Sequence, residues 1–230
     1  LNLKVSDYGW SDSNWLTYRS NVMRNPKDLP LNIYEIDLGS WKTRYGKTNK
    51  YGDSFLNYGE ISSELIPYMK EMGYTHVVIL PNNCSFEVVF EPDTRFGSAE
   101  DFMGFVNALH RSGLGVILDL ITLRKPVTVS DEVSEVEEEN IFYPPGVKLC
   151  SKLLENVIFW IENYHIDGVR FETDCSSGFE SEAAELFKAI NLSVFEKYPD
   201  IMTIAMLPEV EKGSYPENCG FTFVQNSKIS

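Results

Sequence analysis

Apolar residues along the chain fall into two alternating rhythms. Short, nearly continuous runs at 33–38, 76–80, 115–121, 168–173, 201–207 and 220–225 read as strands. Unbroken apolarity, as opposed to strict alternation, is the habit of parallel strands covered on both faces. Between the runs the apolar positions take a helical period. In Tyr58–Met72 they are Ile61, Leu65, Tyr68, Met69 and Met72, and Gly73 supplies the stop. Ser98 with Asp101 three residues on predicts a capped helix start, carried by Phe102, Phe105, Val106 and Leu109 and ended at Gly113. Helices follow over 147–163, on Cys150, Leu153, Leu154, Val157, Ile158 and Ile161, and over 180–197, on Ala183, Leu186, Phe187, Ile190 and Val194. Strand and helix in regular alternation mean βα units and a parallel sheet. No Gly-rich phosphate loop follows the first run, which disfavours a dinucleotide-binding fold. The expectation is an α/β protein with a (β/α) TIM-type barrel. It is incomplete, because five runs and a sixth stand where eight make a barrel. Residues 1–32 read as a polar, aromatic-rich N-terminal extension and 33–230 as the partial barrel domain.

Composition narrows the function. The chain has 230 residues, 43% of them hydrophobic, and a net charge of −14. That apolar share is ample for a core, and a surface so acidic repels phosphate backbones and anionic lipid, which disfavours nucleic acid and membrane as partners. No apolar run approaches the roughly 18 residues that span a bilayer. Cys84, Cys150, Cys175 and Cys219 form no C-x-x-C pair and only three histidines are present, so neither a metal nor a cofactor is expected. Scattered thiols fit a reducing, cytoplasmic setting. The acidic run 131–139 reads as a solvated loop.

In a barrel of this kind chemistry sits at the C-terminal ends of the strands. Asp119 stands at the end of one run. Period-2 alternation puts Arg170, Glu172 and Asp174 on one side of another. An arginine two residues from a carboxylate holds it ionised, as a nucleophile requires, although a structural ion pair would look the same.

The segment Ile33-Tyr34-Glu35-Ile36-Asp37-Leu38-Gly39-Ser40-Trp41-Lys42 resembles the first barrel strand of glycogen (1,4-alpha-glucan) branching enzymes, members of the alpha-amylase family, glycoside hydrolase family 13. The likeness runs on in order through 64–76, Arg95-Phe96-Gly97-Ser98-Ala99-Glu100-Asp101-Phe102, 113–119, Phe159-Trp160-Ile161-Glu162-Asn163-Tyr164-His165-Ile166-Asp167-Gly168-Val169-Arg170 and Met202-Thr203-Ile204-Ala205. The resemblance implies that Asp119 is the family's third-strand aspartate and Arg170 the arginine before its nucleophile. At the nucleophile position itself stands Glu172 in place of Asp. The acid position after Thr203-Ile204-Ala205 is Met206, and the histidine after the third-strand aspartate is Arg124. The tyrosine-bearing loop after the second strand is shortened to 81–90, and the family's His-Asp pair after the seventh strand is expected beyond Ser230. Asp119, Arg170 and Glu172 are thus the candidate catalytic positions, and Arg124, Asp174 and Trp41 the candidate substrate contacts. Further aromatic candidates for sugar stacking are Trp10, Trp15, Tyr18, Tyr45 and Tyr51, each of which packing would explain equally well.

The chemical consequences differ in size. A retaining glycosidase needs two carboxyls about 5–5.5 Å apart, one as nucleophile and one as acid. Glu172 is one methylene too long, and a misplacement of about 1 Å can cost around 100-fold. Met206 cannot transfer a proton, help typically worth about 100- to 10,000-fold. Glu209 lies past Pro208, where the strand has ended. The expected function is therefore a degenerate branching-enzyme-like barrel, catalytically inactive, acting as a binding, scaffold or regulatory module. Its expected partner is an alpha-glucan, another protein, or a second copy or chain covering the open barrel. The alternatives are an active alpha-1,4-glucan glycosidase or transglycosylase of non-standard site, built on Glu172, Asp174, Asp119 or Glu209, and one part of a split or larger enzyme.

Overall fold

The fold was analysed in a computed structural model. It describes residues 7–22, 30–44, 54–80, 90–123, 147–173, 180–207 and 219–226. In chain order the elements are α1 (Ser13–Val22), β1 (Ile33–Ile36), α2 (Tyr58–Met72), β2 (His76–Ile79), α3 (Ala99–Arg111), β3 (Gly115–Leu123), α4 (Val147–Tyr164), β4 (Gly168–Thr173), α5 (Glu180–Lys197), β5 (Met202–Leu207) and β6 (Phe223–Asn226). The six strands form one sheet in the order β1-β2-β3-β4-β5-β6, every neighbour parallel. This is the incomplete (β/α) barrel expected from the alternation of runs.

Both faces of the sheet are covered, which is why its strands read as unbroken apolar runs. Val77, Val116, Val169, Phe171 and Ala205 point outward into the main core, against Leu65 and Met69 of α2, Phe105 and Leu109 of α3, Val157 and Ile161 of α4, and Phe187 and Ile190 of α5. The intervening residues Val78, Ile117, Met202 and Ile204 form a second, inner cluster with Ile33, Leu80 and Phe223. Glycine makes the inner layer fit at two places. A Cβ on Gly115 would lie 2.1 Å from the His76 ring, and one on Gly168 would lie 3.0 Å from Met202 Cβ.

Local signals set the helix ends. Asn57 with Glu60 and Ser98 with Asp101 each form a complete capping box. Gly73 closes α2 at φ 73°, a left-handed conformation that suits glycine.

The structure departs from the periodicity at several points. β1 ends at Ile36, two residues early, because Asp37 turns the chain by accepting from the backbone N–H of Gly39 and the hydroxyl of Ser40. β3 extends to Leu123 through a register shift between Asp119 and Thr122. β6 lies at Phe223–Asn226, later than the apolar run suggested. Met72, at the last position of α2, is 53% exposed although its spacing put it in the buried stripe. Helix α1 had no periodic apolar signal at all. It docks by Trp15 and Arg19, the two buried residues on its surface. Among the described residues no helix is long and apolar enough to cross a membrane. The acidic run 131–139 lies outside the described residues.

Candidate active site in the barrel lumen

The inner faces of four strands bring polar side chains together above the apolar inner cluster. Arg170 of β4 is the hub and is 1% exposed. Its Nη2 donates to Asp119 Oδ2 of β3 at 2.6 Å, and its Nη1 donates to Glu35 Oε1 of β1 at 2.6 Å. Nη1 also lies 3.2 Å from Gln225 Oε1 of β6, and Gln225 Nε2 donates to the same Glu35 oxygen at 2.8 Å. The two outermost strands of the sheet are thus tied across the lumen by one amide and one carboxylate.

The register explains why these residues meet. Asp119 is directly opposite Arg170 in the β3–β4 ladder, and Arg170 opposite Ile204 in β4–β5. Parallel strands in register carry their inward residues at similar heights. The bulge after Asp119 lets β3 continue while Asp119 keeps its place beside Arg170.

Electrostatics balances the cage at the two Nη atoms of Arg170, while its buried Nε has no hydrogen-bond partner among the described residues. Burial would raise the Glu35 carboxyl pKa, but hydrogen bonds from Gln225 and Arg170 and the guanidinium charge leave it below its ordinary value. Burial likewise opposes the Arg170 charge, and Asp119 and Glu35 together more than restore it, raising its pKa. The Arg170 head is therefore committed to two carboxylates.

The sequence-derived candidates divide clearly. Asp119 and Arg170 are brought together as an ion pair. Glu172 lies two residues beyond Arg170, its backbone paired with Thr122 on one side and Met206 on the other. Its side chain lies outside the described residues, as do Arg124, Asp174, Tyr45, Tyr51 and Glu209. Trp41 packs behind β1, where its indole N–H donates to the Tyr34 hydroxyl and its ring meets Tyr68 of α2. Trp10 stacks on His165, and Trp15 is buried with its indole N–H on Asp167, so both serve packing. Glu35 and Gln225 were not among the candidates. A charged residue at an inward position of a covered strand was the available signal for Glu35. Gln225 fell at the end of the weakest run and had none.

No family model matches the chain. The chain is 30% identical to the 1,4-alpha-glucan branching enzyme GlgB of Gloeobacter violaceus, over 93% of this chain and 35% of that protein. It is also 30% identical to the GlgB of Aquifex aeolicus, over 94% of this chain and 41% of that protein. It thus spans little more than a third of the length of these curated relatives. Among solved structures, a family GH13_31 enzyme superposes with a TM-score of 0.60 at 13% identity, covering 85% of this chain and 51% of that one. Sequence kinship over nearly the whole chain and the parallel half-barrel point the same way: the chain is related to one part of the 1,4-alpha-glucan branching enzymes and shares the half-barrel fold of alpha-amylase-type structures.

Proposed function

We propose that this chain is a branching-enzyme-like barrel module that does not turn over alpha-1,4-glucans and acts in binding, scaffolding or regulation, with 33–230 as the barrel domain and 1–32 as its extension. One observation carries the reading. In the β4–β5 register the residue beside Glu172 is Met206, so the strand that neighbours the nucleophile position offers a thioether where glycoside chemistry needs a proton donor. Without general acid help the leaving oxygen departs unprotonated, and the lost help is typically worth about 100- to 10,000-fold. The Arg170 cage supports the same reading, since the guanidinium is already neutralised by Asp119 and Glu35.

The test is incubation with amylose, following reducing ends and the iodine-complex spectrum. Neither should change. Mobility of the chain in gels containing amylose separates glucan binding from a purely protein-directed role. Turnover that disappears in Glu172→Gln would show a working enzyme of unusual chemistry and overturn the proposal.

A further inference from the structure

All three histidines of the chain, His76, His110 and His165, gather at the opposite end of the barrel, beneath the strand N-termini. His110, on α3, is 2% exposed. Its Nδ1 lies 2.9 Å from Asp12 Oδ2 and its Nε2 lies 2.9 Å from Asp167 Oδ2. Asp12 immediately precedes α1, and Asp167 immediately precedes β4. A neutral imidazole has one N–H, and an ionised carboxylate can only accept. Asp167 already accepts from the Trp15 indole at 2.7 Å, Arg19 Nη1 at 2.9 Å and the Val116 backbone N–H at 2.6 Å, donors that favour its ionised form. Asp12 accepts a second ring nitrogen, His165 Nδ1, at 2.9 Å. With both carboxylates ionised, the two contacts of His110 are satisfied together only when both ring nitrogens carry protons.

We propose that His110, held as an imidazolium between Asp12 and Asp167, is a proton-dependent latch that fastens residues 7–22 to the base of the barrel. Other contacts hold the segment alongside it. Trp15 lies flat on the His110 ring, with centroids 5.5 Å apart and planes 22° apart, and Arg19 reaches Asp167 and Asp200. Trp10 stacks on His165, and Ser11 donates to Asn107 of α3. The charged groups facing His110 are Asp12 and Arg19 from the α1 segment and Asp167 from the turn before β4. His165 stands after α4, His76 lies on β2, and Asp200, before β5, acts through Arg19. With the proton in place, two cations, Arg19 and His110, face three carboxylates. Without it the second of those cations is lost, and one carboxylate contact of His110 has no donor between its two acceptors.

The sign follows from the direction of the shift. Burial would lower the His110 pKa, but the charges of Asp167 and Asp12 and their hydrogen bonds raise it above the ordinary 6.5. A group whose docked pKa is raised contributes fully below 6.5 and loses that contribution as pH rises through the docked value. His76 shifts the other way, lowered chiefly by burial, so its titration falls in a separate, more acidic range.

The test uses the full chain with 15N-labelled histidine, titrated from about pH 6 to about pH 9, the span in which histidine charge changes. One ring, assigned to His110 through its own backbone amide in α3, should keep both N–H groups to a higher pH than His76. In parallel, hydrogen exchange followed by peptide should show opening of 7–22, after correction for intrinsic rate. That opening should rise by up to tenfold per pH unit between about 6.5 and the docked His110 value, the slope of one linked proton. Peptides from α3 and β2 should stay unchanged. In His110→Gln the opening of 7–22 should be higher and independent of pH. A neutral His110 ring at pH 7, opening of 7–22 that ignores its titration, or a pH slope that survives in His110→Gln would each overturn the latch. The ring spectrum and exchange of the unmodified chain decide the matter even where the variant does not fold.

Discussion

The barrel carries a polar cluster at each end, and the two are built on opposite plans. At the base an anion is the hub: Asp167 is fully buried and accepts from Trp15, Arg19, His110 and the Val116 backbone. In the lumen a cation is the hub: Arg170 is 1% exposed and donates to Asp119 and Glu35. The surroundings differ as well. The side chains of Asp167 and His110 are wholly shielded, whereas the side chain of Glu35 is 41% exposed. Water can therefore compensate the loss of a partner at Glu35, but not at Asp167 or His110. Breaking a sealed network leaves buried charge without a partner, which costs far more than the intact pair contributes. The base is thus the end that holds the structure together, and the lumen is the end where side chains can be exchanged at moderate cost.

The comparison can be tested by breaking each cluster in turn. Asp167→Ala should have the largest effect, about 3–5 kcal/mol lost in urea unfolding, because it takes one carboxylate partner from each of Arg19 and His110 and leaves the Trp15 and Val116 N–H groups without their acceptor in a dry site. The same carboxylate governs the acid limb. Burial would raise its pKa, but the His110 and Arg19 charges and the hydrogen bond from His110 hold it well below the ordinary 3.8. Its contribution is present above that pH and lost as pH falls through the docked value, so Asp167→Asn should flatten the acid limb of a thermal-unfolding profile.

Gly115→Ala comes next. Its new methyl would collide with the His76 ring from 2.1 Å, an overpacking expected to cost about 1–3 kcal/mol. His76→Ala introduced into that variant should recover part of the loss, since the three nearest atoms all belong to His76.

In the lumen, Arg170→Met should lower stability by about 2 kcal/mol, less than Asp167→Ala, because of its two carboxylate partners only Asp119 is shielded while Glu35 can rehydrate. Glu35→Gln should be the mildest change, under about 1 kcal/mol by denaturant midpoint, since a half-exposed ion pair contributes little. A lumen variant as damaging as Asp167→Ala would erase the distinction between the two ends.

Much of the architecture was legible along the chain. The Ser98–Asp101 cap and the Gly73 stop are local chemistry, decided by residues within one turn of each other. The stripes of α2 and α3 and the runs of β2 and β4 are likewise set by spacing within a single element. The candidate site was half legible: Asp119 and Arg170 stood out as charges in apolar runs, and they do meet. Glu35 and Gln225 did not stand out, because their hydrogen bond joins residues 190 apart at the two edges of the sheet.

What the sequence determined by itself is the alternation of strand and helix and the parallel character of the sheet. Each depends on side-chain type or on a period of two or 3.6 residues, both of which are written in the linear order. What only the tertiary structure decided is which polar groups share a site. Helix α1 lacks an apolar stripe, and its place depends on Asp12, Trp15 and Arg19 finding His110 and Asp167, 98 and 152 residues away for the first two contacts. A buried polar group needs a partner of opposite capacity at about 2.9 Å, and no local pattern states where along the chain that partner will be.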